Sequence, residues 1–357
     1  MISSWKSLLA LTLLVGEALA SYHAHAARHH HNNLVSRNPQ RRLNRRASCK
    51  APTSSSKLVE STTSSSSSSK KAEPTSTKSS SDSGSSNSGS GSKSSSLSSG
   101  QKINSVKAAS GFTPNGKKAG TSSGNALSTL EGKIGWFYDW TPQPSTGLDI
   151  LPVPMLWGSG ESSDSNDNSR LSQFKKITQA PQYMLGFEEP DCAAGGGSAG
   201  MSVSDGVEVW EKYIAPFKAK GTKLGSPSMC KQAAETWLKS FSQQINTDWD
   251  FTNIHVNKNN MDGVRDDLNH YAQYGKPIWV SEFACVDDKN GFVPCTDQDE
   301  IDNYIRDIVD LFESDGRVAA YAYSNGEGLG SKWPMTTSSG DLSASGKTYL
   351  EAISKYA

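Results

Sequence analysis

Met184-Leu185-Gly186-Phe187-Glu188-Glu189-Pro190-Asp191 runs from an apolar strand straight into acids. Ile278-Trp279-Val280-Ser281-Glu282-Phe283 does the same further along the chain. A lone carboxylate is costly to bury, so an acid that ends a buried strand needs a partner or a purpose. Two such strand ends decide the reading, because they ask for a fold in which the C-terminal ends of strands converge on one face.

Outward from these stretches, short apolar strands are legible at 133–140, 153–157, 183–189, 224–228, 251–256, 277–282 and 318–324. An eighth is expected between 140 and 150. Helical periodicity fills the gaps. Ile301, Tyr304, Ile305, Ile308, Val309 and Phe312 share one face of a helix over 299–314, with Thr296 as N-cap and Gly316 at the C-terminus. Val207, Trp210, Tyr213, Ile214 and Phe217 repeat the period, with a kink expected at Pro216. Trp237, Leu238, Phe241 and Ile245 make a third face. Strand alternating with helix predicts parallel strands joined by right-handed crossovers, hence an α/β fold of the (β/α)8 TIM-like barrel type. A doubly wound open sheet is the competing architecture, but no Gly-rich turn follows the first strand.

The chemistry that needs two facing carboxylates is glycoside hydrolysis, one acid to protonate the leaving oxygen and one carboxylate to attack or to activate water. Glu189 and Glu282 are the candidates, and pairing with a structural arginine or lysine is the plainer alternative for each. Sugar rings stack their C–H faces on aromatic side chains. Trp136, Tyr138, Trp140 and Trp157 cluster at the first strands, and Tyr321, Tyr323 and Trp333 at the last. Side chains alternate in direction along a strand, so about half of these belong to the core. Asp139, Asn257, Ser324 and Asn325 stand at strand ends where they meet sugar hydroxyls. His255 ends the sixth strand, counting the one expected between 140 and 150, either beside the nucleophile or bonded to backbone as a core histidine. The substrate-binding set is therefore Glu188, Tyr138, Trp140, Trp157, His255, Asn257, Tyr323 and Asn325.

The two acidic runs, the first strand Gly135-Trp136-Phe137-Tyr138-Asp139-Trp140 and the run Val153-Pro154-Met155-Leu156-Trp157-Gly158 together resemble glycoside hydrolase family 128, a group of fungal β-1,3-glucanases. The likeness covers about residues 130–355. It implies a (β/α)8 barrel in a clan that hydrolyses with retention, with Glu189 in the acid/base position and Glu282 in that of the nucleophile. One position departs: the family pattern has Asn before the acid/base, and here it is Glu188. An ionised Glu accepts from a hydroxyl but cannot donate, and a third carboxylate raises the pKa of its neighbours. The resemblance implies a secreted endo-β-1,3-glucanase acting on wall glucan. The alternatives are a wall-bound glucan-binding protein with little or no turnover, and a related hydrolase of another β-glycan.

Composition sets the domain plan. In 357 residues, 36 basic side chains balance 36 acidic ones, which argues against nucleic acid as the partner. Lys6, the apolar run 8–15 and Ala18-Leu19-Ala20 read as a signal peptide over 1–20, leaving no membrane segment after cleavage. Residues 21–46 are basic and hold five of the seven histidines, with dibasic pairs Arg41-Arg42 and Arg45-Arg46. A processed pro-segment is the reading there, ahead of metal binding at His29-His30-His31. About half of residues 51–100 are serine, so 47–126 is expected to be a disordered stalk whose dense Ser/Thr can carry O-linked sugars. The catalytic domain then spans 127–357, about 230 residues, a size typical of one such barrel. Cys49 precedes the stalk, whereas Cys192, Cys230, Cys285 and Cys295 lie in the domain. The favoured pairing is Cys192 with Cys230 and Cys285 with Cys295, and without a Cys-x-x-Cys pair zinc is not expected. Asp164 and Asp167 lack the spacing of a calcium loop. No cofactor or metal is expected. The expected partner is β-glucan polysaccharide of the cell wall, the expected location secreted or wall-bound, and the expected state a monomer.

Overall fold

The computed structural model describes residues 111–357. The expected signal peptide, pro-segment, Cys49 and most of the expected stalk lie outside the described residues.

Nine strands appear in chain order: β1 (Ala119–Ser122), β2 (Trp136–Tyr138), β3 (Leu151–Pro152), β4 (Tyr183–Met184), β5 (Lys223–Leu224), β6 (Thr252–Lys258), β7 (Ile278–Asp287), β8 (Val293–Pro294) and β9 (Val318–Tyr323). Six form a parallel sheet in the order β3-β2-β1-β9-β7-β6, and β8 pairs antiparallel with β7. β4 and β5 pair parallel with one another. Isolated parallel bridges lie between the two sheets, from Met155 to Leu185 and from Gly225 to Phe251. Seven helices intervene: α1 (Leu127–Leu130), α2 (Asp167–Phe174), α3 (Val203–Val209), α4 (Trp237–Ser242), α5 (Met261–Tyr271), α6 (Gln298–Ser314) and α7 (Ala344–Ser354). Strand followed by helix recurs along the chain, the parallel α/β pattern. Among the described residues no helix is long and apolar enough to cross a membrane.

Two expectations need correction. The eighth strand is β1, ahead of 127, not a segment between 140 and 150; it sits between β2 and β9 and pairs with both. Gly120 in β1 lets the Trp136 ring lie against the backbone, where a Cβ would come within 2.5 Å of the indole Nε1. The N-cap of α6 is Asp297, not Thr296, its carboxylate accepting the Glu300 N–H at 3.0 Å. The acid suits this end electrostatically as well. The helix begun by α3 does change at Pro216, passing through a π turn (Trp210–Ile214) into a 3-10 turn (Ala215–Lys220).

The early residues of several strands meet in an aromatic floor. The Trp279 ring lies 4.7 Å from Trp136, 4.9 Å from Tyr183 and 4.3 Å from Phe251 between centroids. Its indole N–H donates to the Phe112 carbonyl at 2.9 Å, and that of Trp136 to Lys118 at 3.2 Å. Polar tips of buried aromatics need partners, and the segment before β1 supplies both. Trp136 is thereby core and not a sugar contact. The acids lie further along: Glu188 and Glu189 follow β4, and Glu282 lies within β7.

Candidate active site

Glu282 lies midway along β7, where the ladder slips: Ile254 pairs with Val280, but His255 pairs with Glu282. Ser281 is the extra residue. A bulge of this kind re-aims the side chain beside it, and here it sets Glu282 level with His255. Three donors converge on the Glu282 carboxylate. The Tyr138 hydroxyl and the Trp140 indole each donate to Oε1 at 3.0 Å, and Ser324 Oγ to Oε2 at 2.7 Å. Trp140 reaches it from a left-handed backbone, φ 58°. That conformation is uncommon for a bulky residue. The bend is held by Asp139, whose carboxylate accepts the Thr141 hydroxyl at 2.6 Å and its N–H at 3.2 Å. Burial, with the negative charge of Glu282 and Glu188, pushes the Tyr138 hydroxyl well above its ordinary value, so it stays a donor.

Glu188 and Glu189 follow β4. Glu188 is 3% exposed, its Oε2 accepting Ser228 Oγ at 3.2 Å. Burial, reinforced by the charges of Glu282 and Glu189, raises its carboxyl well above the usual range, against the opposing pull of His255. Glu189 has φ 46°, a second left-handed residue at the site. Its Oε1 meets His255 Nδ1 at 2.9 Å and its Oε2 accepts Ser198 Oγ at 2.6 Å. Burial alone would raise its pKa; the His255 bond and charge and the Ser198 bond outweigh it and hold the carboxyl below the usual value. His255 is fully buried among the acids, with Nε2 3.7 Å from Glu188 Oε1 and 3.9 Å from Glu282 Oε1. Burial opposes its charge, but Glu188, Glu282 and the bond to Glu189 prevail and raise it to about 10. The histidine is therefore bonded to carboxylate rather than to backbone.

Of the residues expected at this site, the structure gathers Glu188, Glu189, His255, Glu282, Tyr138 and Trp140. Tyr323 is a correction: it is fully buried, stacks on Trp333 at 4.5 Å and donates to the Trp333 carbonyl. Trp157 is another, 2% exposed with the Arg170 guanidinium 4.6 Å from its ring centroid. Asn325 uses both ends of its amide internally, donating to Ser123 Oγ at 3.1 Å and accepting the Met335 N–H at 3.0 Å. Asn257 is buried with its side-chain oxygen unpartnered. Cys192 is bonded to Cys230, and Cys285 to Cys295. Ser198 was not foreseen. Its signal was the run Gly195-Gly196-Gly197-Ser198-Ala199-Gly200, in which Gly195, Gly196, Gly197 and Gly200 all take positive φ, folding Ser198 back onto Glu189.

A tyrosine, a tryptophan, three serines and three carboxylates around one histidine can bind a polyol through many directional bonds. Glu189 and Glu282 both lie beside His255, and the hydrogen bonds on Glu189 hold its carboxyl below the usual value.

The family described as glycosyl hydrolase catalytic core matches residues 111–349. Among solved structures, an oligosaccharide-binding protein of family 128, subgroup VII, from Cryptococcus neoformans is 57% identical, with TM-score 0.67 over 69% of this chain and 97% of that one. Its counterpart from Trichoderma gamsii is 50% identical, with TM-score 0.67 over 69% and 96%. The chain belongs to glycoside hydrolase family 128. That family also contains an exo-β-1,3-glucanase of subgroup V from Cryptococcus neoformans, which at 19% identity and TM-score 0.56, over 66% of this chain and 99% of that one, shares the fold. Among curated proteins, alkali-sensitive linkage protein 1 of Schizosaccharomyces pombe is 27% identical over 239 residues, 65% of this chain and 43% of that protein. The match thus spans less than half the length of that relative.

Proposed function

We propose that this domain binds β-1,3-glucan oligosaccharides without hydrolysing them, on a (β/α)8 barrel. The observation that carries the reading is the state of Glu189. A retaining hydrolase needs a protonated carboxyl beside the leaving oxygen, and His255 at 2.9 Å with Ser198 at 2.6 Å keeps this one ionised. The carboxyl whose pKa burial raises, Glu188, is 3% exposed. The two relatives described as oligosaccharide-binding proteins support the same reading. The bridges from Met155 to Leu185 and from Gly225 to Phe251 join the two sheets in the order a closed barrel requires, which supports that architecture.

Glu189 and Glu282 then act as hydroxyl acceptors, with Trp140 as the stacking face and Glu188, Tyr138, His255 and Asn257 completing the polar wall. Secretion to the cell wall fits the N-terminal sequence and the two disulfides, which form and persist in oxidising compartments. The test is calorimetry with laminaripentaose beside reducing-sugar release from laminarin. Saturable binding with no release is expected. Release from laminarin that Glu282→Gln abolishes would establish instead a β-1,3-glucanase that depends on Glu282, the reading that the three donors on Glu282 favour.

A further inference from the structure

We propose that this site retains one half of retaining glycosidase chemistry: Glu282 displaces leaving groups that need no proton, while Ser198 and His255 latch Glu189 as a base. The substrate class is aryl β-glucosides of acidic phenols, with the glycone extended by one β-1,3-linked glucose. The inference rests on the oligosaccharide-binding reading for how the glycone is held.

The argument is one of asymmetry. Nothing disables Glu282: the β7 bulge aims it, and Tyr138, Trp140 and Ser324 fix both its oxygens. Nucleophilic attack gains from such orientation, which makes the step effectively unimolecular. The defect is confined to Glu189, held on each oxygen by a donor. Ser198 is brought there by a loop whose glycines occupy conformations that other residues rarely adopt. At Gly200 an added Cβ would lie 2.2 Å from the Ala194 nitrogen. The loop is also tied down, with the Ala199 N–H donating to the Glu188 carbonyl at 2.9 Å and a Gly195–Ser198 bridge across its neck. Ser198, 6% exposed, is thus a positioning residue that acts through Glu189.

The step balances without a proton donor. Glu282 Oε bonds to the anomeric carbon as the bond from that carbon to the phenol oxygen breaks, and a phenol of low pKa departs as phenolate. Water then attacks the glycosyl-enzyme at the same carbon. Its proton passes to the Glu189 carboxylate, Glu282 is released, and the proton leaves to solvent. An alkoxide departing from glucan has no such stability, so laminarin stays intact.

The test uses the full chain with 2,4-dinitrophenyl β-laminaribioside, read as dinitrophenolate release. Steady release at least tenfold above buffer is expected, abolished by Glu282→Gln. Ser198→Ala removes one donor from Glu189 and is expected to shift the acidic limb of the pH profile upward, because a less stabilised carboxylate holds its proton longer. Ser198→Thr restores the parent profile. No dinitrophenolate above buffer, with laminaripentaose binding intact, overturns this inference and leaves the binding reading standing. Sugar release from laminarin by the parent overturns the binding reading itself and the latch with it.

Discussion

The surroundings of Glu282 and those of Glu188 and Glu189 are built differently. Glu282 sits in a ten-residue strand within the larger sheet, flanked by β6 and β9, and its three donors come from β2, the turn after it and the end of β9. The Glu188–Glu189 pair follows a two-residue strand paired with another of the same length. It is shaped by loops: Ser198 from a glycine run, Ser228 after β5, and a left-handed residue at Glu189 itself. The sheet side is a rigid scaffold that keeps its carboxylate available. On the loop side Glu189 accepts a hydrogen bond from Ser198, a residue of the glycine run. Function in this fold is tuned in loops carried by a fixed frame.

Removing β1 breaks the sheet side outright. A chain beginning at Asn125 lacks the strand between β2 and β9, together with Ser122, whose hydroxyl accepts the Asn325 N–H at 2.8 Å. It also lacks the carbonyls of Phe112 and Lys118 that receive the buried indoles of Trp279 and Trp136. Each orphaned buried donor costs about 1–3 kcal/mol, against a total stability of roughly 5–15 kcal/mol. The shortened chain should show no cooperative unfolding transition, whereas one beginning at Ser105 should melt like the full chain. Equal melting of the two would mean that β1 adds little to the sheet.

Trp140→Ala is the largest effect expected on binding. The ring is half-buried beside Glu282 and is the stacking face proposed for sugar. Truncating a tryptophan at the centre of a binding site costs about 2 kcal/mol or more, so affinity for laminaripentaose should fall on the order of thirtyfold. Trp140→Phe keeps a ring and loses only the bond to Glu282, about 1 kcal/mol. Calorimetry that ranked Phe and Ala together would place the energy in the hydrogen bond instead of the stacking.

Each side carries one disulfide, and their loops differ. Cys192 and Cys230 are 38 residues apart and join the segments after β4 and β5, where Asp191 also accepts the Cys230 N–H at 2.9 Å. Cys285 and Cys295 are 10 apart and clamp β7 to β8. Loop-closure entropy assigns about 4 kcal/mol to the first and about 3 kcal/mol to the second. Paired Cys→Ala variants should show this order in denaturant midpoints, and only the loss of Cys192 with Cys230 should also weaken glucan binding. The reverse order would mean that the loops around Glu189 are held by their other contacts.

What was readable in the sequence follows the same division. Strands β6, β7 and β9 announce themselves by apolar runs, and Glu189 and Glu282 by being acids at the ends of such runs. β1, Ala-Gly-Thr-Ser, carries no large apolar residue, because the Trp136 ring occupies the space its side chains would fill. The Tyr323 ring is committed to Trp333, Phe283 and Tyr349, a choice of strand face that the bulge in β7 displaces from simple alternation. Ser198 was illegible for a different reason: a glycine run shows that a loop bends, not what it bends toward.

The smallest expected effect lies at the seam between the two regions, in Asp267 of α5. Its Oδ1 accepts the Ala233 N–H at 3.1 Å, on the β5 side, and its Oδ2 lies 3.5 Å from Lys258 Nζ at the end of β6, with Lys258 also paired to Asp288 beyond β7. Burial raises the carboxyl to about 6, although Lys258 and the Ala233 bond oppose the shift. In the unfolded chain an aspartate titrates near ~3.9. The folded state therefore binds more protons between these values, and stability falls as pH rises from about 4 to about 6. Two pKa units correspond to roughly 2–3 kcal/mol, fully present below pH 4 and lost above pH 6. Asp267→Asn keeps an acceptor for Ala233 and removes the titration. In urea unfolding the variant should gain on the parent by about 1–2 kcal/mol at pH 7 relative to pH 4, where the two differ least. A difference between them that stays constant across that range would mean that Lys258 fully compensates the buried charge, and that the seam is an ion pair rather than a strained one.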